Sequence, residues 1–162
     1  MSLKRVFIAA LLATQCIVAS AAHADKASEI EAVVEQGFRA FDLNGDGTIR
    51  PNEAVAQGTQ IFLAMDANSD GVVSVEEFQK FSMGFGPLAE KFAAKAKYDA
   101  TRAAIFKRWA AGKARMTKAE MIAGMRNEFA RAASKQNAVL TRIDMADFKK
   151  VRFITEMSDS LK

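Results

Sequence analysis

Two twelve-residue windows, Asp42 to Glu53 and Asp66 to Glu77, constrain this chain more than any other feature in it. Each reads Asp-x-Asn-x-Asp-Gly and closes on glutamate at its twelfth position: Asp42, Asn44, Asp46, Gly47 and Glu53, then Asp66, Asn68, Asp70, Gly71 and Glu77. Helices do not persist through such runs of Asx and glycine, so both windows are loops. Their flanks are apolar at helical spacing. Ile30, Val33, Val34, Gly37, Phe38 and Phe41 lie on one face of a helix predicted over 28–41, with Ser28 and Glu31 as its capping box. A second helix is predicted over 51–65, with Pro51 in its first turn, and a third restarts near Val75.

The start of the chain narrows the chemistry. Lys4 and Arg5 precede an apolar run from Val6 to Ala22, and Ala22-His23-Ala24 has the small-x-small pattern of a cleavage site. Residues 1–24 therefore read as a secretory signal, and the mature protein is expected to be exported, to a periplasm or outside the cell, with no membrane span left. Cys16 and His23 are the sole cysteine and histidine, and both fall in that segment. Thiolate catalysis, serine–histidine triads and zinc held by Cys or His then fall away, and an enzyme is not expected. Oxygen ligands remain, and these select hard cations such as calcium and magnesium.

The two windows match the pattern D-x-[DN]-x-[DN]-G-x5-E, and the segment from Ser28 to about Met83 resembles a pair of EF-hands. The resemblance is to the calmodulin-like superfamily and to its bacterial exported members. It implies an all-α fold of helix–loop–helix pairs with a short β contact between paired loops, here Ile49 against Val73. It also implies two calcium ions, each taking six to eight oxygens at about 2.3–2.6 Å. The ligands would be Asp42, Asn44, Asp46, the Thr48 carbonyl and Glu53 in the first loop. In the second they would be Asp66, Asn68, Asp70, the Val72 carbonyl, Ser74 through a water, and Glu77. Arg50 departs from the pattern, holding the ninth position where Ser74 stands in the second loop. The first loop is therefore expected to bind more weakly. Twelve residues, Ala54 to Met65, separate the windows. That is about 18 Å of helix, so one helix serves both hands, which argues against a calmodulin-style opening.

The spacing of 24 residues between the windows recurs downstream, from Trp109 to Ala133 and from Glu120 to Asp144. Each window has an apolar eighth position (Ile49, Val73, Met116, Leu140) and an acidic twelfth. The chain thus reads as four copies of one unit in two pairs, the second pair without ligands. Trp109, Ala111 and Lys113 replace the acids of the third copy, and Ala133, Lys135 and Asn137 those of the fourth. Thr117 with Glu120, and Thr141 with Asp144, are explained as helix caps. Helices are predicted over 88–110, 118–133 and 143–157. Gly84-Phe85-Gly86-Pro87 is the candidate linker, giving regions 1–24, 25–84 and 85–162.

Charge divides the same way. Residues 25–90 hold 12 acidic and 4 basic side chains, and residues 91–162 hold 7 and 17. Lys91, Lys95, Lys97, Arg102, Lys107 and Arg108 interleave with Phe92, Tyr98, Ile105, Phe106 and Trp109. Such a stretch is a solvated face over a core stripe, or a surface for an acidic or membrane-associated protein partner, or it docks on the acidic half. Export argues against nucleic acid. The function expected is calcium sensing or buffering. The alternative is an interaction module whose basic half binds a partner while calcium acts as a structural clip. Met116, Met121 and Met125 are core packing, or the lining of a sensor's groove.

Overall fold

The computed structural model describes residues 25–133 and 142–162. The expected signal segment lies outside these residues, as do Lys135, Asn137, Leu140 and Thr141. Residues 25–41 are helical (α1). The helix has already begun at Asp25, so Ser28 is not its cap as expected; its hydroxyl donates to the Asp25 carbonyl at 2.8 Å. The body of residues 33–162 contains the remaining elements. These are α2 (Pro51–Met65), β1 (Val72–Ser74), α3 (Val75–Lys80), α4 (Gly86–Lys91), α5 (Lys95–Trp109), β2 (Arg115–Thr117), α6 (Lys118–Ala132), α7 (Met145–Phe148) and α8 (Arg152–Ser160).

Helix α2 begins with Pro51, which lacks an N–H that would be unbonded there anyway. It spans 15 residues, about 22 Å, and joins the two acidic loops end to end. The loops therefore lie at opposite ends of a rod and cannot pair with each other. The expected contact of Ile49 with Val73 is not made. Ile49 instead bridges Ile143 in antiparallel sense, and Val73 pairs with Met116 within β1–β2. All four residues are at most 1% exposed.

This pattern makes α6 the counterpart of α2. The residues before α6 pair with those after α2, and the residues after α6 pair with those before α2, so the two helices run antiparallel. They pack directly on each other. Gly58, midway along α2, admits the approach: a Cβ there would lie 2.2 Å from Met125 Cε of α6. In the numbering of the four expected copies, these contacts join the first to the fourth and the second to the third.

The fourth copy sits three residues later than the expected window. Ile143 makes its β bridge, and Asp144 is the cap of α7, its side chain accepting from Asp147 N at 2.9 Å. Asp147 therefore stands where Glu53 and Glu77 stand. The signal was present: Ile143-Asp144-x-x-Asp147 repeats Val73-Ser74-x-x-Glu77.

The expected helix over 88–110 breaks at Phe92–Ala94, where Ala93 takes φ 53°. That over 143–157 breaks at 149–151. Phe85, in the candidate linker, is 2% exposed, so this turn is tucked into the core. A connected run of aromatic rings crosses the body, from Phe38 through Phe148, Phe129, Phe153 and Trp109 to Phe78 and Phe106.

The basic stretch is only partly a solvated face. Arg102 is buried, and its guanidinium donates to the carbonyls of Phe78, Gln79 and Phe81 at the C-terminal end of α3. A cation there meets carbonyls that the helix leaves unbonded and the negative end of its dipole. Arg108 pairs with buried Glu128 at 2.9 Å and with Glu156 at 2.8 Å. Glu128 also accepts from Trp109 Nε1 and from Phe153 N, both at 2.8 Å, joining α5, α6 and the start of α8. Among the described residues no helix is long and apolar enough to cross a membrane.

Candidate metal centres

The two loops are built alike. In the first, Asp42 accepts from Asp46 N at 3.1 Å and Gly47 N at 2.8 Å. In the second, Asp66 accepts from Asp70 N at 3.1 Å and Gly71 N at 2.9 Å. Asn44 and Asn68 each accept, at 3.0 Å, from the N–H of the aspartate two residues on. The fifth-position aspartates accept in turn from Thr48 N at 3.0 Å and Val72 N at 3.1 Å. These successive Asx turns wind the loop into a tight coil. The sixth position must take positive φ, and Gly47 and Gly71 do so at 78° and 82°. The fourth is also left-handed: Gly45 accepts this freely, whereas Ser69 at φ 58° carries a steric cost of about 1 kcal/mol.

The twelfth residue returns over the loop. Glu53 Oε1 accepts from Asn44 N at 3.2 Å, and its Oε2 accepts from Arg50 N at 2.9 Å. Glu77 Oε2 accepts from Ser74 N at 2.9 Å and from the Ser74 hydroxyl at 2.8 Å. Ser74 closes a capping box with Glu77 while holding the ninth loop position. Glu53 and Asp66 are buried, and Asp46 and Asn68 lie at the surface.

Each loop meets an arginine. Arg50 contacts Asp46 Oδ2 and stands 3.8 Å from Glu53 Oε2. Arg115, from β2, contacts Asp70 Oδ2. The Asp46 carboxyl is lowered to about 2, first by the Thr48 hydroxyl and then by Arg50. Burial pushes Asp70 up, but hydrogen bonds from Val72 N, Arg115 and Asn68 outweigh it and leave its pKa below the usual value. Glu77 is lowered by its hydrogen bonds from Ser74. These carboxylates stay ionised far below neutrality, as ligands of a hard cation must.

As the loops stand, their acidic groups face the coil's own N–H groups and the arginines. Among the described residues no three acidic side chains converge closely enough to hold an ion. The donor set nonetheless fits calcium. Asp42, Asn44, Asp46 and Glu53, and likewise Asp66, Asn68, Asp70 and Glu77, supply only oxygens to a cation, with the chain turned so that both ends of each loop meet.

The third hand shows the opposite solution. Lys113, at its fifth position, donates to Glu120 Oε1, at its twelfth, at 2.5 Å. An ammonium thus joins the two positions that a metal would join in the acidic loops. Lys113 is the first cause that lowers Glu120 to about 2, with hydrogen bonds from Thr117 adding to it. The Thr117–Glu120 cap is formed as expected, and Glu120 needs no metal role.

Arg115, Arg102, Glu128 and Gly58 went unmarked by the motif. Each acts on a partner far away in sequence, and no local pattern flags them. Residues 34–53 and 59–82 each match the family model described as EF hand. No curated protein matches the chain.

Proposed function

We propose that this chain, an EF-hand calcium-binding protein by the match at residues 34–53 and 59–82, takes up two calcium ions, one in each acidic loop, as an exported calcium sensor or buffer. The observation that carries the reading is the matched pair of coils, each holding Asp, Asn, Asp and a returning Glu around an otherwise similar backbone. Asp42, Asn44, Asp46, the Thr48 carbonyl and Glu53 would hold the first ion. Asp66, Asn68, Asp70, the Val72 carbonyl and Glu77 would hold the second, with Ser74 supporting a water. Calcium itself supplies the positive charge that draws these oxygens together. The chain supplies turn geometry, ionised carboxylates and the helix that spaces the two sites. Export rests on the sequence of residues 1–24.

Arg50 makes the first loop the weaker, because it places a cation against two of that loop's carboxylates. Calorimetric calcium titration of the whole chain, and of Glu53→Gln and Glu77→Gln, tests both statements. Two ions per chain are expected, with Glu77→Gln removing the tighter event. One ion, or none, defeats the two-site reading; equal affinities defeat the ranking.

A second reading, calcium as a structural clip in a module that binds a partner through its basic half, is favoured by the pairing of hands. Each acidic loop is bonded to a hand of the basic half. Filling the loops would then stiffen the link between halves. A sensor exposes apolar surface on binding, and a clip changes only stability. Met116, Met121 and Met125 are all buried, and Met121 and Met125 line an apolar cavity of about 550 Å³. Dye fluorescence that rises with calcium supports the sensor; an unchanged dye signal with a raised Tm supports the clip.

A further inference from the structure

We propose that Arg115 acts in trans on the second calcium loop: delivered by the metal-free third hand, it holds the Asp70 carboxylate and lowers that loop's affinity for calcium. The proposal rests on the calcium reading above and assigns the basic half of the chain a part in setting it.

The placement of Arg115 is fixed by the fold. β1 and β2 pair antiparallel with Val73 opposite Met116 and Ser74 opposite Arg115. Val73 and Met116 are fully buried, so a register slip would turn both outward. With Met116 held inward, Arg115 points to the outer face, where Asp70 lies two residues before β1. Its guanidinium meets Asp70 Oδ2, which also accepts from Asn68 Nδ2 at 3.1 Å, while Oδ1 accepts from Val72 N at 3.1 Å. Both oxygens of a fifth-position ligand are therefore engaged before any ion arrives.

Among the described residues, the cation paired with Asp70 is Arg115. Lys113, on the same hand, is committed to Glu120. In the first loop the corresponding carboxylate, Asp46, is held by Arg50 from within its own window. Both loops thus carry an arginine on the same ligand, one supplied locally and one across the strand pair. A guanidinium and a calcium ion compete for one carboxylate and repel each other. The pair is about half exposed, so the effect is modest, roughly two- to fivefold in affinity. Linkage makes it reciprocal: calcium weakens the Arg115–Asp70 contact by the same factor.

The test is calorimetric calcium titration of the full chain in a Glu53→Gln background, which leaves the second loop to report, with Arg115 intact, Arg115→Gln or Arg115→Lys. Arg115→Gln is expected to raise affinity roughly two- to fivefold at low salt, and the gain is expected to shrink at high salt. Arg115→Lys keeps the charge and is expected to retain most of the wild-type weakness. In a Glu77→Gln background, the first loop's affinity is expected to ignore Arg115→Gln. Unchanged affinity overturns the proposal. So does a fall, which would mean that the arginine positions Asp70 for the ion, and so does an equal gain in both loops, which would be a net-charge effect. Absence of any calcium heat with Arg115 intact removes the calcium reading itself, and the proposal with it.

Discussion

Ile49 and Ile143 exchange both backbone hydrogen bonds, at 2.8 and 3.1 Å, joining the first acidic loop to the fourth hand. With Val73 on Met116, this contact leaves neither acidic loop paired within its own half. The cause is α2, whose length holds the two loops apart, while antiparallel α6 presents a partner at each end.

A chain cut after Gly84 should therefore fold poorly despite keeping both metal motifs. Ile49 and Val73, at 1% and 0% exposure, would lose their cover. Urea unfolding of the fragment is expected to be broad and its amides poorly protected from exchange. A sharp transition equal to that of the whole chain would show that the acidic half folds alone.

Two glycines separate tolerance from strain. A Cβ at Gly124 would lie 2.7 and 2.8 Å from Trp109 Cδ1 and Cγ, atoms of a rigid ring. At Gly58 the near atom is the mobile end of Met125. Gly124→Ala is expected to destabilise by about 1–3 kcal/mol through overpacking. Gly58→Ala should be closer to neutral, because Met125 can turn aside and alanine favours helix by about 1 kcal/mol. Urea midpoints compare the two; a larger loss at Gly58 would contradict this.

Glu128 is the polar junction of the basic half. Glu128→Ala would leave Trp109 Nε1 and Phe153 N without their acceptor and Arg108 with Glu156 alone of its two carboxylates. A loss of about 3 kcal/mol is expected. Glu128→Gln keeps an acceptor oxygen and should lose less. Chemical denaturation read by Trp109 fluorescence measures both.

The lysine of the third hand carries a pH signature. Glu120 falls from an ordinary 4.5 to about 2 in the fold. A carboxyl with a depressed native pKa gives stability that is full above its unfolded value and fades as pH drops through the native one. This contribution should thus be present above about pH 4.5 and be lost toward pH 2. Lys113→Met should lower Tm at neutral pH and flatten its fall between those values. Parallel Tm curves for the two proteins would show that the pair contributes nothing to stability.

Sequence and structure agree where the physics is local. Gly47 and Gly71 take the left-handed turn that the motif requires, Pro51 opens α2, and Thr117 caps α6. In the fourth window, Leu140 and Ile143 both offer an apolar residue ahead of a possible cap. A partner strand was needed to choose between them, and Ile49 chooses Ile143. The basic stretch leaves a solvated face, a partner surface and docking on the acidic half open in the sequence, and burial with partner carbonyls draws Arg102 inside.

What the sequence determined by itself was the oxygen-only chemistry of the two motifs, the spacing of candidate ligands within each coil, and the shared helix between coils. These follow from φ preferences, Asx turns and a count of residues, which act over a dozen positions or fewer. Which hand meets which, and that Arg115 reaches Asp70, were decided by tertiary structure. Pairing minimises exposed apolar surface over the whole body, and a rigid α2 forbids the nearer partner that the repeat invites.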